Sequence, residues 1–246
     1  MKGHTDLPGA RIDVENWKNF LKSDLGGAWL DSEIVTLSKP FSSDVENELK
    51  VTDDCYSFVA FSGHGRDGSV VLNDYNTDFA VTSMRPKSGR GTLVVDACRG
   101  VPDLVLFSSN LRVSMANEAI GKGAAMEALH GRSTQFCTAS EGYVYNRFTR
   151  TANHRTHWES AVIASSCGLV QMLACAKGQA SSEHASSGGF YTSLLMQSAE
   201  RWNLRSSQSG THSTKDAHDY AAGKLPAQQT PEYSPYSMAF PFAVRI

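Results

Sequence analysis

Two short apolar runs, each followed by a reactive side chain, constrain this chain more than any other feature. Residues 55–61 and 92–97 have the length and composition of buried β-strands, and turn-forming residues follow both. His64 comes shortly after the first run and Cys98 directly after the second. The chain between them is long enough for one crossover. We therefore expect two neighbouring parallel strands whose carboxyl ends face one crevice.

Other apolar patterns predict helices that alternate with strands. Helix-forming patterns occur at 11–25, 42–50, 115–129 and 190–202. Strand-like runs occur at 33–37, 169–176 and 237–246. Turn-rich or irregular sequence fills 66–91 and 226–235. This alternation predicts an α/β fold in which helices cover both faces of a sheet.

Length and charge narrow the class of protein. The 246 residues, 41% of them hydrophobic, are enough for one compact domain with a sizeable core. A net charge of -2 gives no long-range attraction for nucleic acid or an anionic membrane surface. No apolar run approaches the roughly 20 residues of a membrane span, and the first residues lack a signal-peptide pattern. We therefore expect a cytoplasmic protein that contacts neither membrane nor nucleic acid directly.

The chain shows no obvious metal or cofactor site. Its five cysteines are an odd number with no CxxC pair, which argues against a disulfide scaffold and a zinc ribbon, and most are expected to be buried thiols. Asp67, Asp74 and Asp78 are too widely spaced to suggest a calcium site with 6–8 oxygen ligands. His154 and His157 lack a matching cysteine pair for zinc. We expect no cofactor and no metal, with calcium as the alternative.

A cysteine and a histidine at adjacent strand ends predict nucleophilic catalysis. Ionised Cys98 would attack a carbonyl carbon, while His64 would accept its proton and return it to the leaving group. Backbone N–H groups of Gly65 and Cys98 are the natural donors to the developing oxyanion. The alternative is structural, with His64 capping or filling the core and Cys98 a buried thiol.

The residues around both strand ends resemble a known family. The sequence reads DACRG at 96–100 and SGHG at 62–65, which resembles the signature of caspase-type cysteine peptidases of the prokaryotic caspase and metacaspase kind. The segments LPGARIDV at 7–14 and FPF at 240–242 are similar to the opening helix and closing strand of that fold. The resemblance implies a caspase-like three-layer sandwich, with helices on both faces of a mostly parallel central sheet.

The resemblance also implies how the single domain, 1–246, is divided. Residues 1–144 are expected to be the large-subunit-like part, 145–158 an exposed linker and 159–246 the small-subunit-like part. The linker carries three arginines, Arg147, Arg150 and Arg155. Because caspase-like zymogens are commonly cut in such a linker, self-cleavage there is a hypothesis, and a solvated basic loop is the alternative.

Three further residues match the substrate pocket of metacaspase-like enzymes. Asp96 stands where caspases place a glutamine and metacaspase-like enzymes an aspartate, and Asp13 and Ser62 match other positions of that pocket. Two carboxylates near one slot would attract an Arg or Lys side chain at P1, the residue before the cleaved bond. The positive charge of Arg99 favours the alternative, cleavage after Asp.

The resemblance points to a protein or peptide substrate. By analogy with the fold alone, the enzyme could be a triggered effector in prokaryotic stress or antiphage defence, with an activating or sensor protein as partner. The alternative from another class is a catalytically silent module that binds partners.

Overall fold

The structure is a computed structural model that describes residues 7–50, 56–73, 78–100 and 144–246, with the backbone alone for 144–151. The helix predicted at 115–129 lies outside the described residues.

Five α-helices occur in the described part of the chain. They are α1 (Pro8–Lys22), α2 (Ser42–Glu48), α3 (Val144–Ala164), α4 (Phe190–Arg205) and α5 (Thr214–Ala222). The predicted helices at 11–25, 42–50 and 190–202 correspond to α1, α2 and α4. Helix α1 begins at a proline, whose fixed φ suits the first helical position. No described helix combines the length and apolar content that a membrane span requires.

Eleven short strands accompany these helices in the described residues. They are β1 (Ser57–Gly63), β2 (Gly65–Arg66), β3 (Ser69–Val71), β4 (Asp78–Ala80), β5 (Arg90–Ala97), β6 (Gly168–Leu173), β7 (Glu183–His184), β8 (Gly188–Gly189), β9 (Gly210–Ser213), β10 (Glu232–Ser234) and β11 (Pro241–Arg245). The two apolar runs that flank the reactive residues form β1 and β5, as predicted.

Among the residues that the structure describes, the central sheet has four strands in the order β1-β5-β6-β10. Strands β1, β5 and β6 are parallel, and β10 runs antiparallel to β6 at the edge. Strands β2, β3 and β4 form a small antiparallel meander, while β7 pairs with β8 and β9 with β11. The expectation of a mostly parallel central sheet is confirmed.

Alternating side chains of the sheet face two separate cores. On one face, Val94 and Met172 pack with Trp17 of α1 and Trp158 of α3, and buried residues of α4 and α5 complete this larger core. On the other face, Leu93 and Val95 pack with Val45 of α2 and with the β2–β4 meander. This period-2 alternation places helical residues on both faces of the sheet. The result is the three-layer α/β arrangement that the sequence predicted.

The predicted exposed linker at 145–158 is wrong in structure, because these residues form most of α3. Trp158 and Val162 lie one helical turn apart and are 4% and 2% exposed, respectively. Among the described side chains of the stretch, Trp158 is the buried one, and Val162 continues the same face beyond it. A helix packed by this face replaces the expected loop.

Several smaller predictions also differ from the structure. The strand expected at 33–37 is absent, and a 3-10 helix (Asp31–Glu33) leads into irregular backbone. The stretch 226–235 contains edge strand β10, and 66–91 contains the meander. The final strand does form, but β11 pairs with β9 outside the central sheet. Strand partners are tertiary choices, which apolar periodicity does not encode.

Candidate active site

The register of β1 and β5 places the predicted nucleophile and base side by side. Ser62 pairs with Asp96 and Gly63 with Ala97. His64 and Cys98 are the next residues along these strands, so both follow the carboxyl ends of neighbouring strands. Adjacent strands lie about 4.8 Å apart. The two strand ends that carry the motifs are therefore neighbours in the sheet.

Gly65 fits against the strand end that carries the cysteine. A Cβ at Gly65 would lie 2.6 Å from the carbonyl oxygen of Cys98 and 2.8 Å from the Cβ of Ala97. Real Cβ atoms do not approach backbone so closely, so this position requires glycine. On the other side, the N–H of Val71 donates to the carbonyl oxygen of His64 at 2.9 Å. The backbone after β1 is thus held against Cys98.

The Cys98 side chain is buried beside the loop that precedes α4. The residue is 6% exposed, and its thiol donates a weak hydrogen bond to the carbonyl oxygen of Ser181, with an Sγ–O distance of 3.7 Å. The loop therefore contacts the predicted nucleophile directly.

Asp96 is buried and accepts hydrogen bonds from two elements. The Ser181 hydroxyl donates to Oδ1 at 2.5 Å, while the backbone N–H and hydroxyl of Thr192 donate to Oδ2 at 3.0 and 2.9 Å. Thr192 lies in the first turn of α4, where unpaired N–H groups favour a carboxylate. Asp96 consequently also stabilises the start of α4.

Asp13 of α1 reaches the same region from the opposite side. It has no exposed surface, and its two carboxylate oxygens accept the N–H of Gly189 at 2.9 and 3.0 Å. The Ser62 hydroxyl donates to Asp13 Oδ2 at 2.5 Å. The structure therefore brings together Asp13, Ser62 and Asp96, the three predicted pocket residues.

The two carboxyl groups face each other across Gly189. A Cβ at Gly189 would lie 2.2 Å from Oδ2 of Asp96 and 3.0 Å from Oδ2 of Asp13. Burial, followed by the charge of Asp96, raises the pKa of Asp13 to about 8. Burial also raises the pKa of Asp96, against the hydrogen bonds from Ser181 and Thr192 that lower it. Two buried carboxyl groups without a cation favour retention of a proton.

A small cavity opens beside the cysteine and one of these carboxyl groups. Its lining is Leu7, Ser62, Gly63, Asp96, Ala97, Cys98, Ser181, Ser182, Glu183 and Gly189. Its volume is about 20 Å³, room for about one water molecule. His64 and Gly65 are not among the lining residues, and Asp13 lies one layer deeper, behind Ser62 and Gly189.

Glu183 is a second carboxylate in the cavity lining, beside Asp96, and the sequence did not predict it. It lies in β7, and a Cβ at Gly9 of α1 would be 2.7 Å from its Oε2. Its charge contributes to the raised pKa of Asp13. The surrounding sequence is a Ser/Gly-rich stretch without periodicity. Glu183 comes close to the reactive motifs only in the folded chain. No local sequence pattern indicates that position.

Arg99 points away from the cavity. Its Nη1 donates to the carbonyl oxygen of Cys175 at 3.1 Å and forms an ion pair with Glu232 of β10. Arg99 is not among the residues that line the cavity. The positive charge of Arg99 therefore pairs with Glu232 at the edge of the sheet and does not face the cavity.

The other described cysteines differ in environment. The Cys175 thiol donates to the carbonyl oxygens of Ala97 at 3.3 Å and Gln179 at 3.4 Å. Burial, then the neighbouring Cys98, raises the pKa of Cys175 to about 12, so it remains a packed thiol. Cys167 is exposed, contrary to the expectation of a buried thiol. Two further cysteines, Cys55 and Cys137, lie outside the described residues.

The acidic residues considered for calcium do not converge. Asp67 pairs with Lys177 at 2.6 Å, and Asp78 pairs with Arg66 at 3.4 Å. Asp74 lies outside the described residues. Among those that are described, no group of three or more His, Cys, Asp or Glu side chains is arranged to hold a metal ion. The expectation that the chain needs no cofactor stays a prediction.

Of the arginines considered for self-cleavage, Arg155 is engaged within the fold. Its guanidinium donates two hydrogen bonds to the carboxylate of Glu33, at 2.8 and 2.9 Å, and a third to Glu159 at 2.7 Å. It lies in α3, whereas cleavage by a peptidase requires an extended backbone. The side chains of Arg147 and Arg150 lie outside the description.

The layered α/β fold has a cysteine and a histidine at adjacent strand ends, the arrangement expected of a cysteine peptidase. A family model described as the caspase domain matches residues 1–242, and the chain belongs to this family. Among solved structures, the chain is similar to caspase-1 from Spodoptera frugiperda, with a TM-score of 0.56 and 11% identity. The match covers 98% of this chain and 86% of that one, and at this identity it concerns the fold. No curated protein matches the chain.

Proposed function

We propose that the protein is a cysteine endopeptidase that cleaves protein substrates after Arg or Lys. Family membership supports the peptidase class, and the adjacent positions of Cys98 and His64 support the catalytic pair. In this proposal the Cys98 thiolate attacks the peptide carbonyl, and its proton passes to His64 and then to the leaving amine. The N–H groups of Gly65 and Cys98 stabilise the oxyanion. No cofactor takes part.

The observation that carries the P1 specificity is the set of carboxyl groups around Gly189. Asp96 and Glu183 line the cavity beside Cys98, and Asp13 lies directly behind it. A guanidinium or ammonium group entering there would find two or three anionic partners and release the proton that the carboxyl pair retains. Arg99, the main argument for cleavage after Asp, is paired with Glu232 at a distance from the cavity lining.

Substrate entry requires the loop before α4 to shift. A cavity of about 20 Å³ is too small for an Arg side chain. Ser181 bonds both Cys98 and Asp96, and Gly189 bonds Asp13, so the same short segment occupies the nucleophile and both carboxyl groups. Binding of substrate, or of an activating partner, would replace these contacts. This closed state is consistent with a peptidase that waits for a trigger.

Matched fluorogenic peptides with Arg, Lys or Asp at P1 test this proposal. We expect hydrolysis after Arg or Lys, none by Cys98→Ala, and a rise in KM for Asp96→Asn that exceeds the change in kcat. Asp96→Asn preserves the side-chain shape, so a loss of affinity reports the charge. Cleavage after Asp alone would refute the basic pocket and leave the Cys–His enzyme standing. A Cys98 that resists every active-site-directed thiol probe, both alone and after a co-purifying partner is added, would favour a silent partner-binding module instead.

The biological setting belongs to the same proposal. By analogy with prokaryotic caspases and metacaspases, we place the enzyme in the cytoplasm as a triggered effector in stress or antiphage defence, under an activating or sensor protein. Unprocessed protein that gains activity when a co-purifying partner is added would support this setting. A rate of peptide hydrolysis by the isolated chain that no added partner raises would contradict it.

A further inference from the structure

Gln229 is a buried amide that connects the C-terminal part of the chain to the cavity. It is 1% exposed and lies in the turn between α5 and β10. Its Nε2 donates to the carbonyl oxygen of Ala174 at 3.0 Å and to the hydroxyl of Ser181 at 3.2 Å. Its Oε1 accepts the N–H of Ser182 at 3.0 Å. All three partners flank the predicted active site.

The backbone partners determine which way the Gln229 amide faces. The Ser182 N–H can only donate, so the atom that faces it is the amide oxygen. The Ala174 carbonyl can only accept, so the atom that faces it is the amide nitrogen. The second N–H of that nitrogen then faces the Ser181 hydroxyl, whose oxygen must accept it.

The orientation of Gln229 in turn determines where the single Ser181 proton lies. Because the Ser181 oxygen accepts from Gln229, its own proton is directed to Oδ1 of Asp96, 2.5 Å away. A hydroxyl that donates to a carboxylate favours the ionised form of that carboxylate. The carbonyl group of the same serine accepts the hydrogen bond from the Cys98 thiol.

We propose that Gln229 is a positioning residue of the P1 pocket, which orients the Ser181 hydroxyl as a donor to Asp96 and so keeps that carboxylate ready for a basic side chain. The inference rests on the proposed function for its meaning, although its structural part can be tested without a substrate. Gln229 touches neither substrate nor reacting atoms and acts through Ser181.

Other titratable groups also face this carboxylate. They are Asp13 of α1, Tyr191 of α4, Cys98 beyond β5 and Cys175 beyond β6, with Glu183 of β7 acting on Asp13. Their positions do not depend on a hydrogen bond from Gln229. A substitution at Gln229 therefore changes the hydrogen bonding of Asp96 and not its charged neighbours.

The first test follows the ionisation of Asp96 by NMR in protein labelled with carboxyl-¹³C aspartate, with Asp96→Asn to assign the resonance. In Gln229→Leu we expect the pKa of Asp96 to rise by about 1, since the bond to the carboxylate loses its fixed direction. Gln179→Leu is the matched control. The Gln179 amide accepts the N–H groups of Ala176 and Thr230, at 3.2 and 2.7 Å, and does not bond Ser181. An unchanged Asp96 titration in Gln229→Leu overturns the inference.

Ser181→Ala provides a second variant with a smaller risk to folding. It should raise the pKa of Asp96 by at least as much as Gln229→Leu, and the double variant should add little beyond Ser181→Ala alone, because both act through one bond. Additive effects of the two substitutions would contradict the chain from Gln229 through Ser181 to Asp96. If Gln229→Leu does not fold, the comparison uses Gln229→Met, which also removes the amide N–H groups without adding a charge and should raise the pKa in the same direction.

Peptide kinetics separate this inference from the proposed function. For an Arg peptide, Gln229→Leu should raise KM about tenfold and move the acid limb of kcat/KM to higher pH, while Gln179→Leu stays within about twofold of wild type. A wild type that cleaves only after Asp refutes the basic pocket, and the NMR titration still decides the role of Gln229. A wild type that cleaves after Arg with an unchanged KM in Gln229→Leu overturns the role of Gln229 alone.

Discussion

The buried carboxyl of Asp13 predicts an unusual dependence of stability on pH. Asp13 is fully buried on α1, and its pKa rises from the ordinary 3.8 to about 8, because burial and the nearby Asp96 penalise its ionised form. Asp13→Asn replaces this carboxyl by a neutral group of the same shape. Its Oδ1 can still accept the N–H of Gly189, and its amide can donate to the oxygen of Ser62.

The sign of the effect follows from proton binding in the two states. Between about pH 4 and pH 8 the folded protein holds a proton on Asp13 that the unfolded chain has released. The contribution of Asp13 to the free energy of unfolding is therefore greatest below its unfolded pKa of 3.8. It falls by about 1.4 kcal/mol per pH unit as the pH rises, until the pH passes the folded-state pKa of about 8. Between pH 5 and pH 8 wild type should lose up to about 4 kcal/mol relative to Asp13→Asn.

Urea unfolding at pH 5, 6, 7 and 8 measures this difference. The free energy of unfolding of Asp13→Asn should fall less with pH than that of wild type. Asp31→Asn is the control: Asp31 is exposed and Lys22 lowers its pKa, so it is ionised in both states from pH 5 to pH 8 and its removal should leave the pH slope unchanged. Parallel pH profiles for wild type and Asp13→Asn would refute the argument that a buried carboxyl pair retains a proton.

Three further predictions concern the helix, the arginine and the thiols. Trp158→Ala should lower the free energy of unfolding in urea by about 3–5 kcal/mol, because the indole is 4% exposed and contacts Trp29 and Tyr56. A loss below about 1 kcal/mol would contradict the packing of α3. Arg99→Ala should change the preference for Arg over Asp peptides, measured as kcat/KM, by no more than about threefold, because the Arg99 charge faces Glu232. A switch of preference would show that Arg99 acts in the pocket. Cys175→Ala should hydrolyse peptides within about threefold of the wild-type rate, whereas Cys98→Ala should have no activity. Equal losses in both variants would refute the assignment of Cys175 to packing.

The reactive residues and their strands were predictable because their signals are local. A short apolar run followed by glycine and a polar residue identifies a strand end, and two such ends one crossover apart identify neighbours in a parallel sheet. His64 and Cys98 satisfy both conditions, and the register of β1 and β5 agrees. Asp96 and Ser62 were predicted only through the resemblance to metacaspase-like enzymes, and they lie two residues before Cys98 and His64 in their strands.

The failures share a physical cause. In 145–158 the polar and charged residues together outnumber the apolar ones, and the described part of the helix packs through Trp158 and, one turn later, Val162. Polar composition therefore suggested a loop where burial of two side chains on one helical face was sufficient for packing.

The sequence by itself determined the α/β class, the two strands that end at His64 and Cys98, and their place beside each other, because apolar periodicity and turn residues act over a few positions. Only the tertiary structure decided what surrounds them. It brings Asp13 of α1, Glu183 of β7 and Gln229 of a distant turn to Asp96 and turns Arg99 toward Glu232. These choices depend on long-range packing and on hydrogen bonds between groups far apart in the chain, for which a local pattern carries no signal.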